Sequence, residues 1–179
     1  IAILRDPAPA TRVKVIQTLG ILRDAAAVTP LIALLQDPEP SVREAAAYAL
    51  GKLKDARAVE PLCQLAQSAS GTRARQLRTA AITALGLIGD VQATAVLLPL
   101  LHGELTGEVA TALGKIGDSA ALEAILTLTN DPFRRNRAAA VEALGGFKDP
   151  RVFGLLQAAL KSEDTEVRVA AATRKRAGL

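Results

Sequence analysis

The pair Leu-Gly recurs at Leu19-Gly20, Leu50-Gly51, Leu85-Gly86, Leu113-Gly114 and Leu144-Gly145, at intervals of 31, 35, 28 and 31 residues. Four residues after each Gly stands an Asp (Asp24, Asp55, Asp90, Asp118, Asp149). Seven residues before four of the five Leu stands an Arg (Arg12, Arg43, Arg78, Arg137), and Val167-Arg168 opens a sixth copy. Self-similarity at this period marks a tandem array, and it fixes the architecture before any single residue is interpreted. The reading is one array over residues 1–179. Residues 1–6 form the tail of a preceding repeat, 6–36, 37–67, 72–101, 102–130 and 131–161 the repeats, and 162–179 a partial terminal one.

Composition agrees and removes several classes. Half of the residues are hydrophobic and only 2% aromatic, with no Trp or Met. So apolar a chain is not disordered, and an all-β domain would want more β-branched and aromatic residues. A single Cys, Cys63, leaves no disulfide framework or thiolate zinc site. A single His, His102, leaves little for acid–base catalysis. The apolar run Ala95–Leu101 contains Pro99 and is far short of the ~20 residues that span a bilayer. Neither end has the basic start and apolar core of a secretory signal. The chain therefore reads as cytoplasmic, without membrane insertion. Its net charge of +4, from 22 Lys and Arg against 18 Asp and Glu, permits an acidic partner without requiring one.

The second copy is the most regular. From Asp37-Pro38 a helix starting near Ser41 places Val42, Ala46, Ala49, Leu50 and Leu53 on one face, the amphipathic spacing. After a turn at Asp55, a second helix buries Val59, Leu62, Cys63 and Leu65. Helix pairs of this length cannot hide their apolar faces alone; they stack, neighbours sharing one core. The fold class is all-α, an α-solenoid of about five helix-pair repeats with partial repeats at both ends. A helical Gly costs about 1 kcal/mol against Ala, so the five Leu-Gly pairs imply close backbone approach between stacked helices.

The pattern Asp-Pro-x-x-x-Val-Arg-x-Ala-Ala-x-x-Ala-Leu-Gly-x-Leu-x-Asp resembles the HEAT-like repeat named after phycobilisome lyases, over essentially the whole chain. The resemblance implies that Asp6/Arg12, Asp37/Arg43 and Asp131/Arg137 cross-link adjacent units in a ladder. All nine Asp fall at repeat positions. An active site is built once and a ladder in every repeat, so these residues are read as structural. Deoxyhypusine hydroxylase shares such repeats but holds iron through several His-Glu pairs, which this sequence lacks. No metal site, phosphate loop or nucleophile elbow is present.

Function is sought where copies depart from the pattern. The third copy carries an insertion, residues 67–75, and lacks the Asp before its Arg-bearing helix. Arg73, Arg75 and Arg78 stand on or beside this loop, which either grips a carboxylate or phosphate or is merely solvated. In the fourth copy Gly103 and Gly107 shorten or fray the first helix, so a local kink is expected. The fifth places Arg134, Arg135 and Arg137 at its helix start. Ala2–Asp6 aligns with Ala33–Asp37, which suggests missing upstream residues. The end Arg174-Lys175-Arg176 reads either as a polar cap or as residues foreign to the natural chain.

The Arg-bearing helices of such arrays line the concave side. Their outward positions are Val13/Gln17, Glu44/Tyr48, Thr79/Thr83, Gly107/Thr111, Ala138/Glu142 and Val169/Thr173, a small, mildly polar stripe. Tyr48 is either an amphipathic anchor for a partner or an exposed Tyr without a role. Arg12, Lys14, Arg43, Arg73, Arg75, Arg78, Arg134, Arg135, Arg137 and Arg168 form a basic rim near the helix starts. HEAT-like DNA glycosylases bind nucleic acid across such a face, but no aromatic platform for bases accompanies this rim. Cys63 aligns with Ile32, Leu98 and Leu126 and is read as core. His102 aligns with polar helix ends and is read as exposed.

The expectation is a non-catalytic protein–protein scaffold without cofactor, binding a partner with an acidic patch. Its candidate contacts are Arg43, Glu44, Tyr48, Arg73, Arg75, Arg78, Thr79, Thr83, Arg134, Arg135 and Glu142. Two alternatives stand beside it. The family resemblance implies a bilin lyase or lyase-like chromophore factor for phycobiliproteins, with Arg43, Tyr48 and Arg78 at the bilin. The other is a nucleic-acid-binding HEAT-like protein.

Overall fold

The computed structural model describes residues 4, 6–68 and 73–176, the last three without their side chains. Parts of two expectations, the loop 69–72 and the Arg174-Lys175-Arg176 side chains, lie outside the described residues, as does most of the Ala2–Asp6 tail. Leu4 of that tail is 4% exposed, like its counterpart Leu35 at 2%.

The described residues are helical, with no strand among them. Two compact units divide the chain, Ile1–Ala93 and Thr94–Leu179. The first contains α1 (Pro9–Leu22), α2 (Val28–Ala33), α3 (Pro40–Leu53), α4 (Val59–Ser68) and α5 (Ala74–Ile88). The second contains α6 (Thr94–Leu97), α7 (Thr106–Ile116), α8 (Leu122–Leu128), α9 (Arg134–Leu144), α10 (Pro150–Ala159) and α11 (Thr165–Arg176). In the first unit α1, α3 and α5 lie side by side as one layer, with α2 against α3 and α4 against α5. In the second, α7, α9 and α11 form the layer, with α8 and α10 against α9. Each unit is a stack of helix pairs, the all-α arrangement that the period predicts.

Local chemistry sets the ends of these helices. Pro40 opens α3, where its missing N–H and fixed φ suit the first turn. The helix closes on Lys54, at φ 54°, whose N–H bonds to the Leu50 carbonyl. The same left-handed position is Arg23 after α1, Gly89 after α5 and Gly117 after α7. Glycine is the residue suited to it, so Arg23 and Lys54 hold strained backbone. The turn aspartate follows. Asp24, Asp55, Asp90, Asp118 and Asp149 each accept the N–H two residues on, at 2.9–3.0 Å. Four of them open a 3-10 turn that leads into the second helix; Asp149 caps α10 directly.

Packing supports the helical glycines at three places. A Cβ on Gly20 would stand 3.1 Å from the Ala49 Cα, on Gly51 2.8 Å from that of Ala84, and on Gly114 2.5 Å from that of Ala143. Backbone meets backbone there, tightly at Gly20 and so closely at Gly51 and Gly114 that a methyl would force a shift. Gly145 differs, since it lies just past α9 rather than inside it. The second helix of copy two buries Val59, Leu62, Cys63 and Ala66. Ala66 takes the place expected of Leu65, which is half-buried because it lies one residue off the stripe. The fourth copy's first helix, α7, has 11 residues against 14 in α1 and α3, and α9 is equally short without glycines at its start. Pro99, lacking an N–H, follows the end of α6, and the chain continues there as a 3-10 turn.

Candidate functional site

The ladder exists, with a different pairing from the one expected. Arg12 places one end of its guanidinium, Nη1, on the backbone carbonyls of Asp6 (2.8 Å) and Pro7 (3.4 Å) in its own copy. Its other end, Nη2, donates to Oδ1 of Asp37 in the next copy at 2.8 Å. Arg137 repeats this: Nη1 to the carbonyls of Asp131 (2.8 Å) and Pro132 (3.0 Å), Nη2 to Oδ2 of Asp164 at 2.7 Å. The side-chain partners are thus Arg12–Asp37 and Arg137–Asp164, not Asp6/Arg12, Asp37/Arg43 or Asp131/Arg137. Within a copy the Asp side chain turns to its own helix start, where Asp6, Asp37 and Asp131 accept the N–H two residues on. Its carbonyl is left to face the Arg. The planar guanidinium suits this work because its donors point two ways at once.

Both acidic members are sheltered, the Asp37 and Asp164 side chains being 8% exposed. At Asp164 burial pushes the carboxyl upward, but the Arg137 hydrogen bond and the Glu166 N–H outweigh it and hold the group below the usual carboxylate range.

Arg43 keeps half of this arrangement. Its Nη1 donates to the carbonyls of Asp37 (2.6 Å) and Pro38 (3.0 Å), and no carboxylate meets its other end among the described residues. In the sequence the third copy has Thr72, which lies outside the described residues, six residues before Arg78, where the second has Asp37 six before Arg43.

A second set of arginines, not foreseen, links the turns. Arg57 grips Asp55 through Nε (2.9 Å) and Nη2 (2.7 Å) and reaches back to the Ala25 carbonyl at 3.3 Å. Arg151 grips Asp149 through Nε at 3.0 Å and meets Glu123 of the preceding copy at 2.9 Å. Arg57's side-chain and backbone hydrogen bonds hold the Asp55 carboxyl down at about 2. The spacing Asp-x-Arg at Asp55/Arg57 and Asp149/Arg151 is a signal that could have revealed them.

The candidate contacts divide between the units. Glu44 and Tyr48 lie on α3, Thr79 and Thr83 on α5, all at least partly exposed. The Tyr48 hydroxyl is raised above its usual range by burial and then by Glu44 one turn away. Arg73 is exposed at the start of α5, followed by exposed Arg75 and half-buried Arg78. In the second unit Arg134, Arg135 and Glu142 are exposed on α9, with Arg135 3.3 Å from Glu108. Cys63 is buried, and burial followed by Glu60 pushes its thiol up to about 11, so it is core and not a nucleophile. His102 is exposed. No cluster of His, Cys, Asp or Glu suited to a metal exists among the described residues, and no helix there is long and apolar enough to cross a membrane.

Known proteins share this fold. The model of the HEAT repeats family matches residues 1–77 and 122–174. That of the PBS lyase HEAT-like repeat matches 77–103 and 107–131. No curated protein matches. Among solved structures, a chain of the complex of CpcE and CpcF of phycocyanin lyase from Nostoc sp. PCC7120 superposes with a TM-score of 0.74 at 28% identity, covering 95% of this chain and 72% of that one. Human deoxyhypusine hydroxylase gives 0.51 at 22%, covering 97% and 81%. A computationally designed armadillo repeat protein for modular peptide recognition gives 0.58 at 19%, covering 98% and 97%. The last two share the fold. With its repeats, its caps and more than half its length matched, the chain belongs to the HEAT repeat family.

Proposed function

We infer that this chain is a non-catalytic adaptor that receives a protein partner on the Arg-bearing helices within its units and the arginines at their starts. The observation that carries the reading is the commitment of the repeated polar residues. The turn aspartates cap helices, and Arg12, Arg137, Asp37 and Asp164 link copies. What is left toward solvent on α3 and α5 is small or amphipathic: Tyr48 at 36% exposure, with Glu44, Thr79 and Thr83. A surface of that kind suits a helix or loop lying close to it, anchored by the one rigid aromatic. The exposed Arg73 and Arg134 favour an acidic patch on the partner. The test is affinity purification with charge reversal at Arg73, Arg75, Arg134 and Arg135. Loss of the partner supports the adaptor; unchanged recovery and affinity count against the rim.

A lyase-like role in handling the chromophores of phycobiliproteins is the second reading. It is favoured by the likeness to the phycocyanin lyase complex and by the PBS lyase HEAT-like repeats at residues 77–131. In it, Arg43 and Arg78 would hold bilin propionates and Tyr48 would shelter the rings. Mixing the protein with a free bilin decides it: a shifted absorbance band supports the reading, a flat difference spectrum removes it.

A further inference from the structure

The start of α9 departs from its counterparts. Phe133 stands two residues after Asp131, where the first, second and sixth copies have Ala8, Glu39 and Glu166. Its side chain is 71% exposed, so it adds nothing to the core. The backbone beneath it is nevertheless firmly held. Its N–H donates to Asp131 Oδ1 at 2.8 Å, and its carbonyl accepts from the N–H groups of Asn136 and Arg137 at 3.0 and 3.2 Å. The Arg137 guanidinium binds the carbonyls of Asp131 and Pro132, and Asn136 Nδ2 donates to Asp131 Oδ1 at 3.1 Å. A large apolar side chain is thus offered to solvent on a fixed turn, which lowers the ordering cost of binding through it. Arg134 and Arg135 follow it, both exposed.

We propose that Phe133 is the apolar anchor of a docking site on the second unit, and that its occupant is a short acidic segment of the protein partner with one large apolar side chain. The apolar side chain packs on the Phe133 ring, and the flanking carboxylates meet Arg134 and Arg135. A guanidinium carries five donors, and Arg135, with one on Glu108 at 3.3 Å, still has a side chain 74% exposed. The charge pattern selects the occupant. The starts of α7 and α11 flank that of α9, as the pairs Arg135–Glu108 and Arg137–Asp164 show. Near those starts stand Glu104 and Glu166, both exposed. The positive patch is therefore one helix wide, with carboxylates on either side. A nucleic-acid backbone following the row of helix starts would meet them, whereas a few acidic residues around an apolar one fit the patch. The inference rests on the adaptor reading for the existence of a partner and names the chemistry that the second unit takes from it.

The test follows the backbone amide resonances of the full chain with defined probes added to about 2 mM, enough to detect weak binding. The probes are a peptide with Leu between two pairs of Glu, the same peptide with Ala for Leu, and an oligothymidylate of equal charge. The Leu peptide is expected to shift the amides around Phe133 and to bind about fivefold more tightly than the Ala peptide. Phe133→Ala should abolish that preference and Phe133→Leu keep most of it, with circular dichroism unchanged in both. Arg134→Gln should weaken the two peptides by a similar factor, about threefold. Equal binding of the two peptides to wild type, a preference that survives in Phe133→Ala, amides that do not move, or tighter binding of the oligothymidylate would each overturn the site. Capture of the cellular partner keeps this separate from the adaptor reading. A partner recovered less well by Phe133→Ala supports the anchor, and equal recovery overturns it while the adaptor stands. A wild-type chain that recovers no partner counts against the adaptor and leaves the peptide result intact.

Discussion

The second helices of the second and fifth copies, α4 and α10, follow similar turns, Asp55-Ala-Arg-Ala-Val59 and Asp149-Pro-Arg-Val-Phe153, and end in different surroundings. On α4, Val59, Leu62, Cys63 and Ala66 are buried. On α10 only Val152 and Leu156 are, and Phe153, in the register place of Val59, is 59% exposed. The Asp caps are alike and the Arg grips are alike. What differs is the cover: α4 lies along α5 and touches the turn Val91–Ala93, whereas α10 meets α9 and α11 over a shorter stretch. A repeat therefore encodes its helices by itself and its burial only through its neighbours, the nearest-neighbour behaviour of stacked arrays.

The largest expected contrast lies in side-chain truncation. Leu62→Ala, at a fully buried site, should destabilise by about 3 kcal/mol. Phe153→Ala should stay within about 0.5 kcal/mol despite removing more atoms. Denaturant midpoints compare the two directly, and equal losses would break the comparison. Glycines sharpen it next. Gly51→Ala drives a methyl into the Ala84 backbone at 2.8 Å and should cost about 2 kcal/mol. Gly154→Ala on α10 meets nothing within 4 Å and should stabilise by up to about 1 kcal/mol through helix propensity. Opposite signs in thermal melts are the expected result.

Smaller effects follow from the chemistry of the same positions. Gln157 holds on α10 the place that Cys63 holds on α4, and it is exposed. A thiol reagent at neutral pH should therefore label Gln157→Cys rapidly and leave Cys63, with its thiol near 11, untouched until the protein unfolds. The acid limb separates the caps. The Asp55 carboxyl lies near 2 when folded, below its ordinary value, so its contribution is present above about pH 4 and lost as pH falls toward 2. Its NMR titration midpoint should rise in Arg57→Ala. The Asp149 carboxyl is also lowered, first by the Arg151 side chain, and Arg151→Ala should raise it in the same direction.

Legibility in the sequence stopped where neighbours begin. The period, the Asp caps and the apolar stripe are local, and local spacing located α3 to within a residue and Gly20, Gly51 and Gly114 as contact points. The choice of Leu65 over Ala66 failed because a one-residue phase difference lies below what a ten-residue helix can specify by itself. The ladder failed in a more instructive way. Asp37 and Arg43 are six residues apart and do touch, but through the Asp37 carbonyl, while its carboxylate serves Arg12 from 25 residues away. A linear pattern lists which residue types recur without saying which of two guanidinium ends faces which copy. The candidate surface was legible to the extent that Tyr48, Glu44, Thr79 and Thr83 do reach solvent. Arg43 was found among the rim residues, but that its guanidinium grips its own copy's backbone as Arg12 does became visible only in the structure.

The central claim is that these arginines bind backbone within a copy and carboxylate between copies. Two double-mutant cycles sharing Asp37→Ala test it most directly, one with Arg12→Met and one with Arg43→Met, read by equilibrium unfolding. The account predicts a coupling of about 1–2 kcal/mol for Asp37 with Arg12 and less than about 0.5 kcal/mol for Asp37 with Arg43. A coupling to Arg43 as large as that to Arg12 would contradict it.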